Sequence, residues 1–398
     1  MNGFALPRRW TSASRAAWAV LALAALASAC TGTSEEGDPV LLVVADGASL
    51  ALVQDSFGLG ERGSDRTLQW LGNAHTFASA GPEGVRDLAA ARTTGPAASA
   101  VRLFALVRTT DGDDVVRTFD ASDVDPDDPS TLSPLGGATD LSGVVQADGS
   151  FGEPLCSRAL DVSADGSWLA LLHDPSACDL DGFPRIVLID VPAQEVAFAT
   201  SASAPVAPVA PVFAADDAGI WYLDPGDTNA RARFEPLPEN GGDARELSLP
   251  NVTDPVGMAR GGLGLVVASA TTVASFDPGS EDDPTVADSA DDLTDVIDTR
   301  PVPTAAILAI SDAEAVLHPN VAADADAFVR ESLAVSAPAA ATLDPNVFAF
   351  LVAPGAISVL DLLGVTPEDD GLNERRFSVP ELDAPQAVTW IFGRRATP

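Results

Sequence analysis

The chain reads as all-β, a single β-propeller of about seven four-stranded blades, with six to eight compatible with the strand spacing. Three observations predict this. No long stretch places apolar residues at i, i+3, i+4 and i+7 between helix caps. Short β-branched runs recur instead, punctuated by Asp, Gly, Pro and Asn roughly every eight to twelve residues. One segment of about 45 residues reads as four successive antiparallel strands, the size of a propeller blade. Two packed β-sandwiches are the alternative all-β arrangement.

That segment sets the template. Arg158–Val162 is a strand, Ser163-Ala164-Asp165-Gly166 a tight turn, and Trp168–His173 a second strand. A loop holding Asp179-Leu180-Asp181-Gly182 leads to a third strand, Arg185–Asp190, and a fourth covers Glu195–Thr200. Similar units follow. Val209–Ala214, Ile220–Leu223, Arg231–Glu235 and Glu246–Leu249 form one, and Val256–Arg260, Leu263–Ala268, Thr272–Phe276 and Leu293–Ile297 another. Ala305–Ile310, Ala315–His318 and Phe328–Glu331 form a weaker unit. Ala340–Leu343, Val347–Val352, Ile357–Asp361 and Arg376–Val379 form a clear one. Val85–Val107 with Val115–Phe119 is a looser unit followed by a long insertion. Ser203–Pro211, with prolines at 205, 208 and 211, reads as a stiff connector.

The two ends complete each other. Gln386–Phe392 is a first strand without successors, whereas Val40–Ala45, Ser49–Val53 and Thr67–Trp70 are three strands without a first. Building one blade from both termini closes the ring and removes the free sheet edges that would template aggregation. The turn sequence Ser163-Ala164-Asp165-Gly166-Ser167-Trp168-Leu169 resembles the Ser-x-Asp-Gly-x-x-Leu turn of WD40-like and YVTN-like propeller repeats. The resemblance covers that blade in letters and the others in pattern.

The first thirty residues give an expected address. Arg8, Arg9 and Arg15 precede an apolar run, Ala16–Ala29, of about signal-peptide length and too short to span a bilayer. It ends in Leu26-Ala27-Ser28-Ala29-Cys30, which resembles the lipobox of bacterial lipoproteins, although Ala27 stands where that family prefers Leu. The resemblance implies lipidation at Cys30, removal of a signal peptide at 1–29, and anchoring to a bacterial membrane on its extracytoplasmic side. Residues 30–39 then form a flexible tether and 40–398 the propeller. With Cys30 lipidated, Cys156 and Cys178 remain as a pair, and an oxidising compartment favours a disulfide between them.

Charge narrows the partners. The chain carries 22 basic and 58 acidic residues, and every basic one is arginine. Loss of three arginines with the signal takes the formal charge from −36 to −39. Such a surface repels phosphate backbones, so nucleic acid is not expected as a partner.

Candidate chemistry is sparse. Asp174, Asp179, Asp181 and Gly182 surround the loop that a Cys156–Cys178 bond would pin, and they form the expected binding loop. Alternate carboxylates beside a glycine suit Ca2+, which makes Asp179 and Asp181 weak metal candidates, although no glutamate closes an EF-hand-like loop. The Asp123–Asp128 run repeats the spacing without the glycine, and the run from Asp282 to Asp295 is a third acidic stretch. No Gly-x-Ser-x-Gly elbow is present, and His75, His173 and His318 lie far apart in sequence. No catalytic residue is assigned. The expected function is a non-catalytic binding or scaffold module with a monomeric body, contacting an envelope protein or surface polymer. A lactonase-like, metal-dependent hydrolase and a calcium-dependent glycan binder are the alternatives.

Overall fold

A computed structural model describes residues 39–393 apart from 57–65, 93–100, 137–138, 141–155, 179–180, 202, 215–216, 227, 261–263, 277–284, 289–292, 298–306, 312–313, 319–328, 334–336, 345–347 and 363–373. The expected signal segment, Cys30, Asp179, Asp282, Asp283, Asp291 and Asp292 lie outside the described residues.

Strands account for nearly all regular structure. In chain order they are β1 (Val40–Asp46), β2 (Ser49–Asp55), β3 (Leu68–Thr76), β4 (Ala80–Arg92), β5 (Val101–Thr109), β6 (Asp114–Asp120), β7 (Ser133–Pro134) and β8 (Thr139–Asp140). Next come β9 (Ser157–Val162), β10 (Trp168–His173), β11 (Arg185–Asp190), β12 (Glu195–Ala199), β13 (Val212–Phe213), β14 (Gly219–Asp224), β15 (Arg231–Pro236) and β16 (Arg245–Ser248). The remainder are β17 (Pro255–Arg260), β18 (Leu265–Ser269), β19 (Thr272–Phe276), β20 (Thr285–Asp288), β21 (Leu293–Ile297), β22 (Ile307–Ser311), β23 (Glu314–His318), β24 (Val329–Ser332), β25 (Ala340–Leu343), β26 (Phe348–Ala353), β27 (Ala356–Asp361), β28 (Glu374–Ser378) and β29 (Pro385–Phe392).

Among the described residues these strands form six four-stranded antiparallel sheets and one five-stranded sheet, arranged as the ring of a β-propeller. The expected range of six to eight blades encloses this arrangement. Each sheet's inner strand packs on the next around the ring: β29 on β4, β4 on β9, β9 on β13, β13 on β17, β17 on β21, β21 on β25, and β25 back on β29. Ring closure follows the sequence reading, with order β29-β1-β2-β3 and Val40 opposite Phe392, Leu42 opposite Trp390 and Val44 opposite Val388.

Burial explains why the strands alternate so little. The second strand of a blade is covered on both faces by neighbouring blades, so β1 (VLLVVAD) and β10 (WLALLH) are apolar almost throughout. The outer strands β16 and β28 are largely exposed and charged, and β12 is partly exposed. Gly84 marks a close inter-blade approach: its φ is +61° and an added Cβ would stand 2.0 Å from the Gly47 carbonyl oxygen.

Two readings change. Leu293–Ile297 does not end the unit containing Thr272–Phe276; it pairs with β22 and opens the next sheet, and Thr285–Asp288 supplies the missing fourth strand. That strand is short and follows the acidic Glu281-Asp282-Asp283-Pro284 run, which disguised it as a loop. The stretch Ser203–Pro211 is more than a connector. Val206, Ala207 and Val209 are buried, and the Ala207 N–H donates to the Leu223 carbonyl, continuing the inner edge of β14's sheet.

Candidate functional site

The site sits where the blade β4–β8 meets the blade β9–β12. Local chemistry first fixes β9 and β10. In the turn between them Gly166 takes φ +71°, the Trp168 N–H donates to the Ser163 hydroxyl, and Asp165 accepts from the Ser167 N–H at 2.9 Å. At the far end of β10 the chain passes through a 3-10 turn, Pro175–Cys178, and the Cys156–Cys178 disulfide ties it back to the entry of β9 with Cα atoms 5.9 Å apart.

His173, 3% exposed, ends β10 beneath this bond. Its Nδ1 accepts the Cys156 N–H at 3.0 Å, which requires the neutral imidazole with its proton on Nε2. Burial, reinforced by Arg185 and partly opposed by Asp174, pushes its pKa down to about 4. Asp174 is also buried. It accepts from the Ser176 N–H at 3.0 Å, pairs with the Arg158 guanidinium at 2.8 Å, and its own N–H donates to the Cys156 carbonyl at 2.7 Å. This expected binding-loop residue closes the turn rather than facing outward.

The neighbouring blade supplies the other half. Asp114, 1% exposed, opens β6. It accepts from Arg108 at 2.9 Å and from the Ser157 N–H, while Arg86 donates to the Ser157 carbonyl at 2.9 Å and lies 3.8 Å from the same carboxylate. Burial raises the Asp114 pKa, against the lowering effects of the Ser157 N–H, Arg108 and Arg86. Arg108 also donates to Cys178 Sγ. Thus Asp114 and Arg86 satisfy both backbone groups of Ser157 from across the seam, and one guanidinium joins Asp114 to the disulfide.

Above this cluster the chain runs through Asp181, Gly182 and Phe183, all exposed, with Phe183 at 54%. The strand that follows is held at its start, because Arg185 Nε donates to the Thr200 carbonyl at 2.8 Å. Cys178 and Asp174 share the 3-10 turn, and Gly182 approaches it, an added Cβ standing 2.9 Å from Pro175 Cγ. Among the described residues no three His, Cys, Asp or Glu side chains converge as a metal site. In the Asp123–Asp128 run, Asp128 accepts from Ser130 and Asp125 from the Asp127 N–H. His75 packs edge-on against Phe77 and Phe119, far in sequence from His173.

Sequence reasoning missed Arg86, Arg108 and Asp114. Arg108 is a charge near the end of the apolar run Val101–Thr109, and Asp114 opens the next strand across a tight turn. That placement was the available signal. It also missed a second use of carboxylates on inner strands. Asp87 on β4 accepts the Leu160 N–H of β9, and Asp161 on β9 accepts the Phe213 N–H of β13, each at 2.8 Å. Asp161 further pairs at 3.3 Å with the buried Arg260, which ends β17. Inner-strand N–H groups lacking a sheet partner are satisfied by the blade before.

No protein-family model and no curated protein matches this sequence. Solved structures do match in shape. A candidate 6-phosphogluconolactonase of Bacteroides uniformis ATCC 8492 aligns with TM-score 0.57 and 12% identity over 89% of this chain and 100% of its own. A second candidate 6-phosphogluconolactonase, from Bacteroides fragilis NCTC 9343, gives 0.56 and 10% over 90% and 99%. A functionally unknown protein from Desulfotomaculum acetoxidans DSM 771 gives 0.56 and 8% over 89% and 99%. At such identities the likeness establishes the shared β-propeller fold and nothing of the chemistry.

Proposed function

We propose that this chain is a binding or scaffold module of the cell envelope, held outside the cytoplasm by lipid on Cys30. Its 181–184 loop is the contact point for an envelope protein or surface polymer. The observation that carries the reading is the exposed Phe183, two residues before Arg185, whose guanidinium holds the Thr200 carbonyl, with Gly182 against Pro175 of the disulfide-bonded turn. A pre-ordered aromatic contributes contact area at low entropic cost on binding. The charged groups beneath it are engaged with one another, so their role in this reading is to hold the loop's base. The net charge, −39 once the signal is removed, favours a partner with cationic groups.

The test is recovery of the lipidated full chain from its native envelope after mild cross-linking, beside Cys30→Ala. A stoichiometric partner in the lipidated sample that is lost with Phe183→Ser is the expected result. Partner recovery that survives Phe183→Ser overturns the contact assignment. No partner at all, together with turnover of lactone or ester substrates that a chelator abolishes, would replace the module by a hydrolase.

A further inference from the structure

Two features of the Cys156–Cys178 pair make its two sulfurs unlike. Cys156 is fully buried, whereas Cys178 is partly exposed at the end of its 3-10 turn. Arg108 donates to the Cys178 sulfur from the neighbouring blade. The other charged groups around the pair are partnered: Asp114 with Arg108 and Arg86, and Asp174 with Arg158, while His173 is held neutral by the Cys156 N–H. Asp181 lies in the exposed loop beyond. A purely structural staple needs none of this asymmetry. A partly exposed sulfur beside a guanidinium is instead the environment in which a cysteine exchanges with thiols.

We infer that the Cys156–Cys178 disulfide is a thiol-exchange site, attacked at Cys178, and that Arg108 holds Cys178 as thiolate when the bond is open. The co-reactant is a dithiol. One of its thiolates attacks Cys178 Sγ and forms a mixed disulfide. The Cys156–Cys178 bond breaks, and its electron pair leaves on the Cys156 sulfur, which takes up a proton. The second thiol of the reductant, as thiolate, attacks its own sulfur in the mixed disulfide. Cys178 departs as thiolate toward Arg108. The dithiol becomes a disulfide and the protein a dithiol, a two-electron exchange. The exchange chemistry itself does not depend on the loop binding anything.

The experiment uses the full chain and a monothiol, glutathione, with acid quench trapping the mixed disulfide before Cys156 or a second glutathione resolves it. Peptide mapping after acid quench should find glutathione on Cys178 and not on Cys156; Cys30 is resolved by its own peptide. In the reduced wild-type protein, alkylation of Cys178 with iodoacetamide should show a pH midpoint below the ordinary thiol value of about 8.5. Arg108→Gln should move the midpoint up and slow alkylation at pH 7 several-fold, and Arg108→Lys should restore part of the rate. Glutathione on Cys156, or an ordinary midpoint for Cys178 in the wild type, overturns the inference. The wild-type measurements decide even if Arg108→Gln fails to fold.

Discussion

Two seams of the ring are built from opposite materials. Between the terminal-closure blade and the blade β25–β28 the contact is apolar: Val44, Phe350, Val352, Ile357, Val388 and Trp390 share one buried cluster. Among the described residues, the buried Asp55–Arg66 pair is the charged element there, and it lays the guanidinium 4.0 Å over the Phe348 ring. Between the blades β4–β8 and β9–β12, apolar packing around Phe104, Leu160 and Leu171 is joined by the group Arg86–Asp114–Arg108, which reaches Ser157 and Cys178. Apolar burial stabilises without direction, so it suits the seam that must close whatever the loops do. Buried charges hold only in one geometry, and losing a member is costly. The second seam therefore positions something: the entry of β9 at Ser157 and the disulfide-bonded Cys178.

The largest effect is expected at the apolar seam. Ending the chain at Pro385 removes nearly all of β29, bares β1 as a free edge and opens the ring. The truncated protein should lose its cooperative thermal transition and aggregate on size-exclusion chromatography; an unchanged melt would contradict ring closure. At the charged seam, Asp114→Ala removes the buried carboxylate shared by Arg108 and Arg86 and leaves the Ser157 N–H without that acceptor. It should cost about 3–5 kcal/mol in urea denaturation. A loss under about 1 kcal/mol would mean that the seam is held by its apolar part alone.

Acid gives a subtler probe of the same seam. His173 has a folded pKa of about 4 against an ordinary value of 6.5, so the unfolded chain binds the extra proton between those values. Stability should therefore be complete above pH 6.5 and fall by about 3 kcal/mol on the way down to pH 4. His173→Gln, which keeps an acceptor for the Cys156 N–H, should flatten that window. A slope that persists in the variant would assign it to other groups. Removing the disulfide with the paired Cys156→Ser and Cys178→Ser changes should cost about 3 kcal/mol, a loop-closure magnitude. The smallest effect belongs to Phe183→Ser. An exposed side chain should change stability by no more than about 0.5 kcal/mol while abolishing partner capture.

The two seams also differ in how far they could be read from the sequence. The closing blade was legible strand by strand, because β-branched apolar runs at both ends are incomplete alone and complete together. The β9–β12 blade was equally legible, since Gly166 and the Ser163-Asp165 pair mark its turn and continuous apolar runs mark β10 and β11. The disulfide was expected because Cys156 and Cys178 are the pair left once Cys30 is set aside for lipid, in an oxidising compartment. Arg86, Arg108 and Asp114 were not legible as a group. They lie on β4, β5 and β6 and meet Ser157 and Cys178 only through the ring, so no spacing along the chain announces them. The Leu293–Ile297 misplacement has a related cause. Strands in the same sheet and in adjacent sheets have the same local pattern, and only pairing separates them.

The central claim is that the disulfide-pinned loop is where this molecule meets its partner. The direct test places a photo-cross-linking residue at position 183 of the lipidated full chain, and at exposed Arg375 on β28 as the control, and irradiates intact native envelopes. The account predicts one discrete, stoichiometric adduct from position 183 and none from position 375. No adduct from position 183, or equal adducts from both positions, would contradict it.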